Sequence, residues 1–140
     1  MYEHHRLTIE NLRNHYEQNR DNIAFIVNGS VARGEAGKES DLDYWLVVED
    51  EIFAELSAKN SVSLEANEYC VPPCSEANGF VTSKMALRNL RDRGSELMRW
   101  AFCKAQVIFS HDREIEALVT EIPCYPEQDR IRRMESYHSQ

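Results

Sequence analysis

Basic residues are in deficit: 16 Lys and Arg stand against 24 Asp and Glu, a formal charge of −8. Broad nucleic-acid binding needs a basic face that displaces counterions from phosphates, so it is not expected here. A small anionic ligand held by a few local groups is still allowed, and a cationic co-substrate would suit the field. Long apolar runs are also missing. None approaches the roughly 20 residues of a bilayer span, and the opening "MYEHHRLTIE" lacks the apolar core of a signal peptide. These absences point to a cytoplasmic protein with no membrane partner.

Metal-ligand spacing is scarce as well. Of Cys70, Cys74, Cys103 and Cys124, only the first two, in "CVPPC", are close, and a zinc site would want a second close pair or a Cys/His pair. Free thiols are expected in a reducing compartment. His4, His5, His15, His111 and His138 form no ligand-spaced set and read as surface or partly buried. Glycine and proline number only 5 and 4, with 42% hydrophobic and 29% charged residues among 140. That is the composition and length of one globular domain.

The apolar pattern alternates between helix and strand periods. Ile9, Leu12 and Tyr16 predict a helix over residues 6–20, and "IAFIVN" (23–28) predicts a buried strand. "SVARGEAG" predicts a short helix from Ser30 to near Gly37, and "DLDYWLVV" (41–48) a second strand. A helix follows over 49–59, with Asp50 as its cap and Ile52, Phe53 and Leu56 inward. "SVSLEANEYCV" and "GFVTS" both read as strands around a "PPCSEAN" loop. Helical spacing returns from Ser83 to about Phe102, carried by Leu87, Leu90, Leu97 and Trp100 and broken at Gly94. "AQVIFS" (105–110) is a further strand and 112–122 a further helix. The expected architecture is α/β (α+β), a mixed central sheet flanked by helices. Residues 1–122 form the domain, and 123–140 begin a C-terminal helical segment of a chain that reads as truncated.

The chemistry concentrates in residues 25–48. Side chains alternate along a strand, so Asp41 and Asp43 point one way while Leu42 and Tyr44 point the other. Two adjacent carboxylates repel and resist burial. A divalent cation removes that penalty, and Mg²⁺ commonly takes one or two carboxylates plus substrate phosphates. Gly29-Ser30 falls where a strand gives way to a helix, a turn that presents free amides and the positive dipole end to phosphates. Taken singly, Ser30 can be an ordinary N-cap and "SDLD" a solvated junction. Their conjunction on neighbouring strands is what points to a nucleotide site.

"NGSVARGEAGKESDLDYWLVV" resembles the signature of the DNA polymerase β-like nucleotidyltransferase superfamily. Its spacing, the Ala-Arg-Gly after Ser30 and the Ser before Asp41 are most similar to antibiotic (aminoglycoside- or lincosamide-type) and minimal nucleotidyltransferases. A looser similarity runs through "RWAFCKAQVIFSHD". The resemblance implies the nucleotidyltransferase fold and transfer of AMP, or another nucleoside monophosphate, from ATP or another triphosphate to an acceptor hydroxyl. It implies that Gly29 and Ser30 hold the triphosphate, with Arg33 near the phosphates, and that Asp41 and Asp43 bind Mg²⁺. The family's third catalytic carboxylate falls on Glu76, with Asn78 the alternative in register and Glu65 and Glu68 as rivals. The acceptor is a small molecule, as in antibiotic resistance, or a partner protein, as for a minimal antitoxin. A non-catalytic nucleotide- or partner-binding domain is the competing reading. A C-terminal helical domain or a homodimer partner completes the site in this picture.

Overall fold

A computed structural model describes residues 1–123 of the chain. Ile9, Leu12 and Tyr16 make one buried stripe along the first helix, α1 (Glu3–Glu17). The apolar run that follows has no polar face to solvate. It forms β1 (Asn22–Asn28), buried along nearly its whole length. The chain then builds α2 (Gly29–Arg33), β2 (Leu42–Val48), α3 (Asp50–Ala58), β3 (Ser63–Glu65) and a 3₁₀ turn at Asn67–Tyr69. β4 (Ala77–Ser83), α4 (Lys84–Arg93), α5 (Glu96–Ala101), β5 (Gln106–Ser110) and α6 (Arg113–Glu121) complete it.

The strands form one sheet in the order β3-β4-β2-β1-β5. β2 and β4 run parallel, while β1 pairs antiparallel with both β2 and β5, and β3 with β4. This is the mixed, helix-flanked sheet expected from the alternating pattern. Each face is covered by its own core. Phe25, Val27, Leu42, Tyr44 and Leu46 meet the stripe of α1 on one side. Ala24, Ile26 and Val47 meet Leu87, Phe102, Ile115 and Leu118 on the other. The hydroxyls of Tyr16 and Tyr44, 2.6 Å apart, share a buried hydrogen bond that ties α1 to β2. Among the described residues, no helix is long and apolar enough to cross a membrane.

Several local expectations are corrected. The short helix stops at Arg33 because Gly34 takes the left-handed conformation and ends it. Asp50 does not cap α3. It is the first helical residue, and its carboxylate accepts instead from the Met85 amide of α4 at 3.1 Å. Residues 61–71 give only the three-residue β3 before the 3₁₀ turn. His5 is fully buried, with Nε2 against the Ser40 carbonyl at 2.9 Å. Leu97 and Trp100, which carry the helical spacing in the sequence, are 75% and 50% exposed. The segment 123–140, with its predicted helix, Cys124 and His138, lies outside the described residues apart from Pro123.

Candidate active site

β2 delivers the acids, Asp43 within the strand and Asp41 just before it. β1 ends at Asn28, which pairs across the ladder with Asp43 of β2. On the far side of β2, the parallel register sets Asn78 of β4 against Asp43. One step earlier, the Leu42 amide donates to the Glu76 carbonyl at 3.0 Å, bringing Asp41 alongside Glu76. Of the four candidates for the third position, Asn78 therefore stands level with Asp43, and Glu76 stands beside Asp41. The Asn78 side-chain amide, 3.4 Å from Glu76 Oε2, links the two. Glu65 sits on edge strand β3, paired with Asn78. Glu68 lies in the 3₁₀ turn.

Gly29 makes this juxtaposition possible. Its φ of +71° belongs to the left-handed region that favours glycine. A methyl group there would come to 2.7 Å from Asp43 Oδ2, so bare backbone packs directly on the carboxylate. Ser30, half-buried, follows in the first turn of α2. Arg33 leaves the same short helix. Its guanidinium lies 4.5 Å over the Trp100 ring and its Nε donates to Glu35 at 3.1 Å. Trp100 is thus brought to the site by α5, from the far half of the chain. No local pattern announces that contact, since Trp100 reads as one more apolar residue at helical spacing.

The electrostatics are those of acids crowded together. Half-buried Asp43 is held above the ordinary carboxylate value by lost hydration and then by the negative charge of Asp41, while Arg33 pulls it down. Asp41 is also raised, first by lost hydration, then by the charge of Glu76 and a hydrogen bond with it. Each acid would therefore gain from a cation. Among the described residues, however, no group of three or more His, Cys, Asp or Glu side chains is placed to hold a metal. The acid pair is an open-sided half-site, which suits an ion that keeps waters and takes oxygens from a bound phosphate. Asp41 and Asp43 would hold such an ion.

Two cysteines border the acids, with Cys74 Sγ 3.6 Å from the Glu76 carbonyl. Cys70, Cys74 and Cys103 are free thiols. Cys74 Sγ is 3.8 Å from Cys70 Sγ, and burial together with Cys74 pushes the Cys70 thiol up to about 12. A thiol so raised is a poor nucleophile at neutral pH.

A family model described as "Putative nucleotidyltransferase DUF294" matches residues 3–83, from α1 through β4. The chain belongs to that family, and its helix-flanked mixed sheet is consistent with a nucleotidyltransferase-like fold. None of the curated proteins matches. Among solved structures the chain is similar to one described as "Crystal structure of the toxin-antitoxin with AMP-PNP". That likeness has 11% identity and a TM-score of 0.40, covering 94% of this chain and 90% of that one.

Proposed function

We propose that the protein transfers a nucleoside monophosphate, AMP in the first instance, from a triphosphate to an acceptor hydroxyl in a Mg²⁺-dependent reaction. The observation that carries this reading is the contact between Asp43 and bare Gly29 backbone, with Asp41 and Arg33 within electrostatic reach. Family membership supports it. Magnesium, when bound, supplies charge neutralisation on the phosphates, which is most of what phosphoryl transfer asks of a protein.

The chain's own residues supply the rest. Asp41 and Asp43 hold the ion, Gly29 and Ser30 seat the triphosphate by backbone amide and hydroxyl, and Arg33 steadies its charge. The acceptor oxygen attacks the α-phosphorus, the bond from that phosphorus to the bridging oxygen breaks, and pyrophosphate leaves with the electron pair. Glu76, exposed beside Asp41, takes the acceptor proton. Trp100 stacks on Arg33 and limits its rotamers. Residues 1–122 form the transferring unit, acting in the cytoplasm.

A second reading has one observation in its favour. Asn78, not an acid, stands level with Asp43, which suits a domain that binds nucleotide without turning it over. Pyrophosphate release from ATP separates the two. Release that requires Mg²⁺ and is lost in Asp43→Asn is the result expected. Tight nucleotide binding without release against any aminoglycoside, lincosamide or co-purified protein acceptor favours the binding domain.

A further inference from the structure

Asn28 carries an anomaly that neither the fold nor the acid pair explains. It is the N-cap residue of α2, a position where asparagine is favoured because its side-chain oxygen accepts an amide of the first turn. Here it makes no such bond. Its Oδ1 is buried with no hydrogen-bond partner, in a residue only 8% exposed. Buried side-chain oxygens are seldom left so unless something outside the protein takes them.

Its position says what that something is. Asn28 stands directly across the β1–β2 ladder from Asp43. Opposed residues of an antiparallel pair project from the same face with their Cβ atoms in contact range. An uncharged acceptor therefore sits beside a carboxylate that is itself crowded by Asp41. Two acceptors cannot satisfy each other, whereas a hard cation satisfies both. An amide oxygen is an ordinary ligand of Mg²⁺ and Ca²⁺ and adds no repulsion to an acid pair. The other two buried unpartnered atoms among the described residues do not compete for this role. Trp45 Nε1 is a donor, and His5 Nδ1 belongs to α1.

We propose that Asn28 Oδ1 is a neutral oxygen ligand of the divalent cation held by Asp41 and Asp43. The proposal rests on the nucleotidyl-transfer reading of the acid pair and adds a ligand to it. It also accounts for how a site with no three-acid cluster among the described residues can hold an ion while leaving room for phosphate oxygens.

The test is Mn²⁺ binding to the full chain followed by electron paramagnetic resonance, with a non-hydrolysable ATP analogue present. Asn28→Leu removes the oxygen at similar volume and is expected to weaken Mn²⁺ binding at least about tenfold, the scale of losing a metal-site partner. In EDTA it should melt no lower than wild type. Asn28→Asp keeps an oxygen acceptor and is expected to bind Mn²⁺ as tightly as wild type or more so. Unchanged affinity in Asn28→Leu overturns the proposal. So does loss of affinity in Asn28→Asp, which would mean that the amide donates to Asp43 instead. Should the leucine variant fail to fold, the aspartate variant decides alone. Asp43→Asn separates the two levels. If it binds Mn²⁺ like wild type, the acid-pair reading falls and takes this one with it. If it loses the ion while Asn28→Leu keeps it, only the role of Asn28 falls.

Discussion

Asp43 gathers more consequences than any other residue. Its carboxylate lies against Gly29 backbone, opposite Asn28, level with Asn78 and within reach of Arg33 and Asp41. Gly29→Ala would meet both a left-handed φ and the carboxylate oxygen. It should cost about 1–3 kcal/mol of stability in urea unfolding and abolish Mg²⁺-dependent pyrophosphate release. Wild-type activity in the Gly29→Ala variant would show that bare backbone there is incidental. The raised value of Asp43 sets a pH dependence with a definite sign. An acid raised on folding binds more protons folded than unfolded, so its contribution to stability is full below the ordinary value of 3.8 and is lost as pH rises through the raised one. In EDTA, Asp43→Asn should therefore match wild type in acid and melt higher near neutrality. A variant that melts no higher there would show that the acids do not strain the metal-free fold. The acid pair and the Gly-Ser turn are legible in the sequence because both are short-range patterns. Asn28 is visible there only as a polar residue closing an apolar run, and its orphaned oxygen depends on the cross-strand register.

At the scale of elements, burial makes some segments readable and others not. "IAFIVN" can only be a buried strand, and α1 declares its single stripe. α3 has no buried residue, so its apolar positions reveal a helix but not its seat. Asp is common at helix caps, yet tertiary contact with α4 claims the Asp50 carboxylate. Ser83 behaves as its sequence suggests. It ends β4 and caps α4, its Oγ accepting from the Ala86 amide at 3.2 Å. Ser83→Ala should lower stability by about 1 kcal/mol and leave Mn²⁺ affinity unchanged, measured by urea unfolding and spin resonance on the same samples. A loss of metal affinity would mean that the β4–α4 junction reaches the site.

The whole molecule depends on contacts that no local pattern encodes. The strand order places β1 between β2 and β5, so the later half of the chain pads the back of the strands that carry the acids. Arg99 joins that half together. It is 2% exposed and donates to the carbonyls of Arg91, Gly94 and Ile122 at 2.9–3.0 Å, linking the ends of α4, α5 and α6. Arg99→Met should destabilise by about 3 kcal/mol, since several buried carbonyls lose a charged donor at once. A loss below about 1 kcal/mol, the net worth of a single ordinary hydrogen bond, would show that the carbonyls find other partners. The next residue in the same helix, Trp100, carries Arg33, so loosening α5 should also weaken nucleotide binding. Calorimetric titration of a non-hydrolysable ATP analogue with Mg²⁺ into wild type and Asp43→Asn tests directly whether the acid pair holds a metal-bound nucleotide. Saturable binding that vanishes both in EDTA and in the variant is predicted. Equal binding by the two proteins, or none by wild type, would contradict it.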